Sequence, residues 1–296
     1  YGTYRGHEIY SMSPPSSGGV HIVQILNILE NYEFTGHNTA NTIHLMAEAM
    51  KFAYADRAEY LGDTDFVTVP LQGLTSKKYA TSLSQKINKL KANNDINFGQ
   101  PSHYESEETT HYSVADKAGN AVSNTYSLNF SYGAGIVIEG TGMLINNTMD
   151  DFSSKPGKPN AYGLIGGTAN AIEPQKRMLS SMSPTIVLKN GKPFIITGSP
   201  GGSKIITTTL QVILNVIDHK MNIQEAVNAI RIHHQWQPNE IRIEKGLNLD
   251  TIKLLTNMGH KVVLKHTMGV ASSILLDNGL YYGASDPRRS GLALGY

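Results

Sequence analysis

The stretch "SKIITTTLQVILNVI", residues 203–217, is apolar on almost every face of a helix. A surface helix carries a polar stripe; one without such a stripe has to be covered all round. The segment therefore belongs between layers, and the rest of the chain must supply them. Ile22, Ile25, Leu26 and Leu29 recur at helical spacing after the turn-rich "SMSPPSSGG". A second helix is predicted over 38–61, with Asn38 or Asn41 as its cap and Ile43, Met46, Ala47 and Met50 as its apolar stripe. A third is predicted over 76–91 with lysines on its outer face, and shorter ones over 222–230 and 249–258. Residues 182–188 and 193–198 read as strands around an Asn190-Gly191 turn, and strand signals recur at 261–265, 271–276 and 280–283. Helices, then strands, then both again predict a layered α+β domain.

A chain of 296 residues is long enough for one large domain or two modest ones. It starts at Tyr1 rather than Met, so it is read as a piece of something longer. Lys plus Arg (25) and Asp plus Glu (24) nearly cancel, which leaves no basic stripe for nucleic acid. The absence of cysteine excludes thiolate catalysis, disulfides and Cys-ligated zinc together. No apolar run reaches the roughly 18 residues that a membrane-spanning helix needs.

Residues 92–108 are polar, hold Gly and Pro, and read as an exposed connector. The character changes at Thr109. The next stretch alternates, carries Val and Tyr, and turns at Ala118-Gly119-Asn120. A hairpin with loop 117–120 would pair Asp116 with Ala121. Counting back sets Thr109 opposite Leu128, with Ser127 and Asn129 on either side and sharing one face. A threonine hydroxyl is a poor nucleophile without a base beside it. Cutting the chain just before the residue supplies one, because the freed α-amine titrates near ~7.7–8. Taken alone, a Thr-Thr pair more often does no more than open a strand.

Other stretches carry chemistry and a plainer meaning side by side. In "TGSPGGSK", Gly201 and Gly202 precede the buried helix, where their N–H groups can face a developing oxyanion; a Gly-rich turn is the simpler alternative. It is not a phosphate-binding Walker loop, since G-x-x-x-x-G-K-[ST] is absent. "MLSSMSPT" offers Ser180 and Ser181 as neighbouring donors for a carboxylate, or an ordinary polar turn. "INNTMDDFSS" offers Asp150 and Asp151, one of which could hold an ammonium group, or a solvated turn. His233 and His234 point to different faces and lack the H-E-x-x-H spacing, so they are read as structural. "YADRAEYLGD" is assigned to packing or a subunit contact, and "GASDPRRSG" to a turn that buries or pairs Asp286.

Together these stretches resemble the γ-glutamyltranspeptidase family. The likeness runs through "YSMSPPSSGGVHIVQILNILENYEF", "MAEAMKFAYADRAEYLGD", "TTHYSVADKAGNAVSNTYSLN", "NNTMDDFSSKPGKPNAYGLIGG", "KRMLSSMSPTIV", "TGSPGGSKIITT", "RIHHQW" and "YGASDPR", in that order. The resemblance implies an N-terminal nucleophile hydrolase fold, a four-layer αββα sandwich. It implies a precursor that cuts itself between Glu108 and Thr109. Residues 1–108 would then be the end of a large subunit and 109–296 a complete small subunit, together one structural domain. Thr109 matches the nucleophile that forms a γ-glutamyl-enzyme ester and passes the acyl group to water, an amino acid or a peptide amine, with glutathione as the expected donor. Gly201 and Gly202 match the oxyanion-hole pair, Ser180 and Ser181 the α-carboxylate site, and Asp151 the α-ammonium site. Asn129 matches another substrate contact. Ser127 stands where the family usually has a threonine that supports the nucleophile. "SSKPGKPNAYGLIGG" resembles a lid, and its Tyr162 matches the residue that closes against Asn129.

Two departures qualify the likeness. Thr148 stands where many relatives have Gln or Glu against the substrate amine, so recognition is expected to lean on Asp151. The family's carboxylate-binding arginine lies on a large-subunit segment N-terminal to anything in this chain. No metal or organic cofactor is required by any of these steps, and the family implies a periplasmic or secreted enzyme. Two alternatives stay open: a related acylase or poly-γ-glutamate depolymerase, and an unprocessed, non-catalytic scaffold.

Overall fold

The computed structural model describes residues 1–101 and 113–295. Strands β1 (Gly2–Tyr4) and β2 (His7–Ser11) lead into helix α1 (Gly18–Leu29), followed by α2 (Ala40–Tyr60), α3 (Leu71–Thr75) and α4 (Lys77–Ser84). A two-residue hairpin, β3 (Val114–Ala115) and β4 (Ala121–Val122), precedes a long irregular stretch. Then come β5 (Thr185–Lys189), β6 (Lys192–Gly198), α5 (Lys204–Ile217) and α6 (Ile223–Asn228). Strands β7 (Ile232–His233) and β8 (Ile241–Ile243), helix α7 (Leu249–Asn257), and strands β9 (Val262–Leu264), β10 (Ser272–Asp277) and β11 (Leu280–Ser285) complete the chain.

The centre is a six-stranded antiparallel sheet in the order β1-β2-β5-β6-β10-β11. Ile9, Val187 and Ile195 stand in register across β2, β5 and β6 and are fully buried in one cluster with the side chains of α1, α2 and α5. Helix α1 is buried on every side, because α2, α3 and α4 stack on it from outside while β1 and β2 lie beneath. Helix α5 is likewise buried along its length, as its composition requires, and only its first residue, Lys204, is partly exposed. The opposite face of the sheet stays partly open over Tyr10 and Tyr281. The predicted α+β class holds.

Local detail departs from expectation in four places. Thr39, not Asn38 or Asn41, caps α2, accepting from Thr42 N–H at 3.2 Å; Thr and Asn cap almost equally well, so sequence alone does not choose. The third helix ends at Ser84, where Lys86 and Ile87 N–H reach back only three residues and tighten the chain into turns. The first part of the expected connector is packed rather than exposed: Ala92 and Ile96 are buried, and the Trp236 indole donates to Ile96 O at 2.8 Å. The hairpin pairs Ala115, not Asp116, with Ala121. The Asp116 carboxylate instead accepts from Ala118 and Asn120 N–H and closes the loop one residue earlier. By contrast, the Asn190-Gly191 turn forms as expected, with φ of 54° and 72°.

Candidate active site

The site is assembled by loops that reach each other through backbone bonds. Gly18 and Gly19 let α1 start against its neighbours; a β-carbon on Gly18 would meet Met182 O at 2.2 Å and one on Gly19 would meet Met12 O at 2.4 Å. This close approach lets the "PPSS" turn grip the Ser180–Ser181 strand. Ser17 N–H donates to Ser180 O at 2.9 Å and Ser180 N–H donates to Pro15 O at 2.8 Å. Asn170 ties the next loop in: its Nδ2 donates to Asp151 O at 2.8 Å, and its Oδ1 accepts from Leu179 N–H at 2.9 Å. The 129 and 147 segments are joined in turn. Asn147 N–H donates to Leu128 O at 3.0 Å, and Asn129 Nδ2 donates to Asn147 O at 3.1 Å.

These ties bring Ser127, Asn129, Thr148, Asp151, Tyr162, Ser180, Ser181, Gly201 and Gly202 around a single cavity of about 110 Å³. Every predicted site residue among the described ones is there. Thr109 and the Glu108–Thr109 bond lie outside the described residues.

The side chains are set for charge recognition. Ser180 Oγ accepts from Met182 N–H at 3.0 Å, and Ser181 Oγ accepts from Arg57 Nη2 at 3.4 Å. Each hydroxyl oxygen thus accepts from the protein and keeps its proton for an anion. Asp151 lines the same cavity, with its pKa pushed up to about 6 by burial while Arg57 works in the opposite direction. Thr148 turns its hydroxyl back onto its own loop, donating to Asn146 Oδ1 at 2.6 Å. Ser127 Oγ accepts from Asn129 N–H at 2.8 Å, which holds Asn129 at a φ of 74°.

Gly201 and Gly202 immediately precede α5, with φ of 139° and 58°. Among the described residues their N–H groups have no acceptor, which leaves both donors at a helix N-terminus for a negatively charged oxygen. Tyr162 covers them. Its hydroxyl donates to the backbone O of Asn129 at 3.1 Å, so the contact with Asn129 runs through the main chain rather than the amide.

Sequence reading missed Arg57. Assigned to packing or a subunit contact, it is instead a buried guanidinium whose Nε donates to Ser17 Oγ at 3.0 Å and whose Nη2 reaches Ser181. It also lines a second cavity beside Asp150 and Asp151. Burial works to lower its pKa, and the charge on Asp151 works to raise it. A buried Arg at the end of a predicted helix was the available signal, but its target is 124 residues away.

Two other groups proved structural. His233 is buried between Thr207 Oγ1 (2.9 Å) and Gln235 Oε1 (2.9 Å), and burial lowers its pKa to about 3. Asp286 is buried and paired with Arg231 at 2.6 Å, as the turn reading expected. His44, Glu48 and His260 bring potential metal-ligating atoms within 4.8 Å of one another. These groups already serve one another and their neighbours: His44 Nδ1 and His260 Nε2 are hydrogen-bonded at 2.7 Å, His44 Nε2 donates to Asn88 O, and Glu48 is paired with Lys51 at 2.7 Å. Arg57 lies thirteen positions after His44 along α2, roughly 20 Å of helix away.

The chain is 59% identical over 292 residues to the glutathione hydrolase proenzyme of Escherichia coli K12, covering 97% of this chain and 50% of that protein. It thus spans about half the length of that relative. A solved chain of a Helicobacter pylori gamma-glutamyltranspeptidase mutant is 60% identical, with a TM-score of 0.59, covering 61% of this chain and all of the other. The cephalosporin acylase of Bacillus halodurans is 28% identical with a TM-score of 0.83, covering 97% of this chain and 50% of its own. The shared fold is that of the N-terminal nucleophile hydrolases, which the family resemblance implied. The family model described as Gamma-glutamyltranspeptidase matches residues 1–296, and the chain belongs to the gamma-glutamyltranspeptidase family.

Proposed function

We propose that this chain is the catalytic part of an enzyme that transfers or hydrolyses γ-glutamyl groups, with glutathione as donor and water, an amino acid or a peptide amine as acceptor. The observation that carries the reading is the single cavity holding two hydroxyl donors, a carboxylate and two N–H groups with no acceptor among the described residues. A γ-glutamyl head group presents matching chemistry: a carboxylate, an ammonium and a carbonyl that becomes an oxyanion.

In this proposal the chain is cut between Glu108 and Thr109, giving pieces 1–108 and 109–296. The full-length match of the Helicobacter chain to 61% of this one supports that division, since residues 109–296 make up a similar share. The freed α-amine of Thr109 takes the proton of its own Oγ, and Oγ attacks the γ-carbonyl. Gly201 and Gly202 N–H groups hold the oxyanion. The ammonium proton passes to the leaving nitrogen, the C–N bond breaks, and an ester remains on Thr109. Water or an amine then attacks the ester carbonyl, giving its proton to the same amine; the C–Oγ bond breaks as that proton returns to Thr109 Oγ, and glutamate or the new γ-glutamyl amide leaves. Ser180 and Ser181 hold the α-carboxylate and Asp151 the α-ammonium. Asn129 and Thr148 add contacts, Ser127 supports the nucleophile, and Tyr162 closes the cavity.

The apolar side chains of the 126–149 stretch support a further large-subunit segment as partner. Tyr126 is 83% exposed and Met143 58%, more apolar surface than a lone domain commonly leaves open. Among the described residues no helix is long and apolar enough to cross a membrane; a periplasmic or secreted location is proposed from the family. A related acylase is the second reading, since a cephalosporin acylase shares the fold. The presence of serine donors and Asp151 in one cavity favours a substrate bearing both charges.

The test is intact mass and N-terminal sequencing of the full-length protein beside Thr109→Ala, with γ-glutamyl-p-nitroanilide turnover. Two pieces, one starting at Thr109, and loss of both cleavage and turnover in the variant are expected. Turnover that survives the substitution would remove Thr109 from the mechanism; an uncut, inactive wild type would favour the scaffold.

A further inference from the structure

Gln235 is buried between two parts of the site that are distant in sequence. Its Oε1 accepts from Ser203 Oγ (3.0 Å), His233 Nε2 (2.9 Å) and Arg242 Nη1 (3.0 Å). Its Nε2 donates to Gly163 O at 2.9 Å and reaches Tyr162 O and Gln237 O, each at 3.3 Å. The amide cannot be turned over. Arginine only donates, so it requires the oxygen; backbone carbonyls only accept, so they require the nitrogen. The approach is close as well: Gly163 has a φ of 75°, and a β-carbon there would meet Gln235 Nε2 at 3.2 Å. Ser203 directly follows Gly202, and Tyr54 fixes its carbonyl to α2 at 2.6 Å.

We infer that Gln235 is a positioning residue: its amide fastens the Tyr162–Gly163 cover to the turn that carries Gly201 and Gly202, and so governs how much water reaches the acyl group. The partition between hydrolysis and transfer rests on the γ-glutamyl reading above; the fastening itself does not. A side chain that holds the cover shut keeps water away from an ester waiting for an amine.

Two variants of the full-length protein test this. Gln235→Glu keeps an acceptor for Ser203, His233 and Arg242 but turns the donor facing the carbonyls of Tyr162, Gly163 and Gln237 into an anion. Gln235→Asn keeps the amide but shortens its reach by one methylene. The expected result in both is hydrogen–deuterium exchange at residues 160–166 faster by about tenfold, the upper scale of one lost hydrogen bond, in protein that remains folded by circular dichroism. The hydrolysis-to-transfer ratio should rise alongside. A folded variant that exchanges at the wild-type rate overturns the inference, and so does faster exchange with an unchanged ratio in a wild type that transfers γ-glutamyl groups. If Gln235→Glu does not fold, Gln235→Asn decides. If the wild type performs no γ-glutamyl transfer, the transfer reading falls, while the exchange measurement still judges the fastening.

Discussion

The Tyr162 ring lies directly on Gly202: a β-carbon on that glycine would come within 2.5 Å of the ring. The cover and the proposed oxyanion donor are thus in van der Waals contact, and the glycine is required twice, for space and for its φ of 58°. Gly202→Ala is expected to lower kcat about 10²–10³-fold, the range for losing one oxyanion donor. Steady-state kinetics beside a circular dichroism spectrum checks it. A folded variant with near-normal kcat would remove Gly202 from the site.

Arg57 and Asp151 give a pH prediction. Burial raises the Asp151 pKa to about 6 and Arg57 opposes the rise. Ammonium binding needs the carboxylate, so kcat/KM should fall as pH drops through about 6. Arg57→Met removes the opposing charge, so the acid limb should move to higher pH, while Arg57→Lys should leave it nearly in place. A limb that stays put in Arg57→Met shows that this charge does not act on the titrating group.

The same shift affects stability. A carboxyl with a raised pKa binds its proton more tightly in the folded state than in the unfolded one. Its contribution is therefore intact below the unfolded value near 3.8 and declines as pH rises through about 6. Asp151→Asn removes that decline and is expected to stabilise the protein at pH 7 by on the order of 2 kcal/mol. Denaturant melts at pH 4 and pH 7 measure it; no gain at pH 7 would contradict the assignment.

Thr148 offers one short hydroxyl, already bonded to Asn146. Thr148→Gln is expected to lower KM for γ-glutamyl donors by several-fold and to narrow the range of accepted acceptors. Unchanged KM and unchanged acceptor range would place Thr148 outside substrate recognition.

Arg231 and Asp286 form a buried pair whose carboxylate also accepts from Ala271 N–H at 2.7 Å. Burial works to raise the Asp286 pKa, yet Arg231 and the backbone donors hold it below the ordinary value. Its stabilisation is present above that ordinary value and is lost as pH falls through the depressed one. Asp286→Ala leaves Arg231 buried and unpaired and should cost about 3–5 kcal/mol. Thermal melts read the loss.

What the sequence carried by itself was local pattern and motif identity. The Asn190-Gly191 turn follows from two residues that tolerate positive φ, and the burial of α5 follows from its nearly all-round apolar surface. The order of motifs from "PPSSGG" to "YGASDPR" was enough to name the family and nine residues that meet at one cavity. Local rules reach a turn of helix or a pair of strands, and they failed where neighbours compete on nearly equal terms, as at the Thr39 cap and the one-residue shift of the β3–β4 hairpin. Tertiary structure alone decided the roles of Arg57 and Gln235. Arg57 meets Ser181 across 124 residues and Gln235 meets Gly163 across 72. No periodicity encodes such meetings: a buried polar group must find partners wherever packing brings them, and packing is a property of the whole fold.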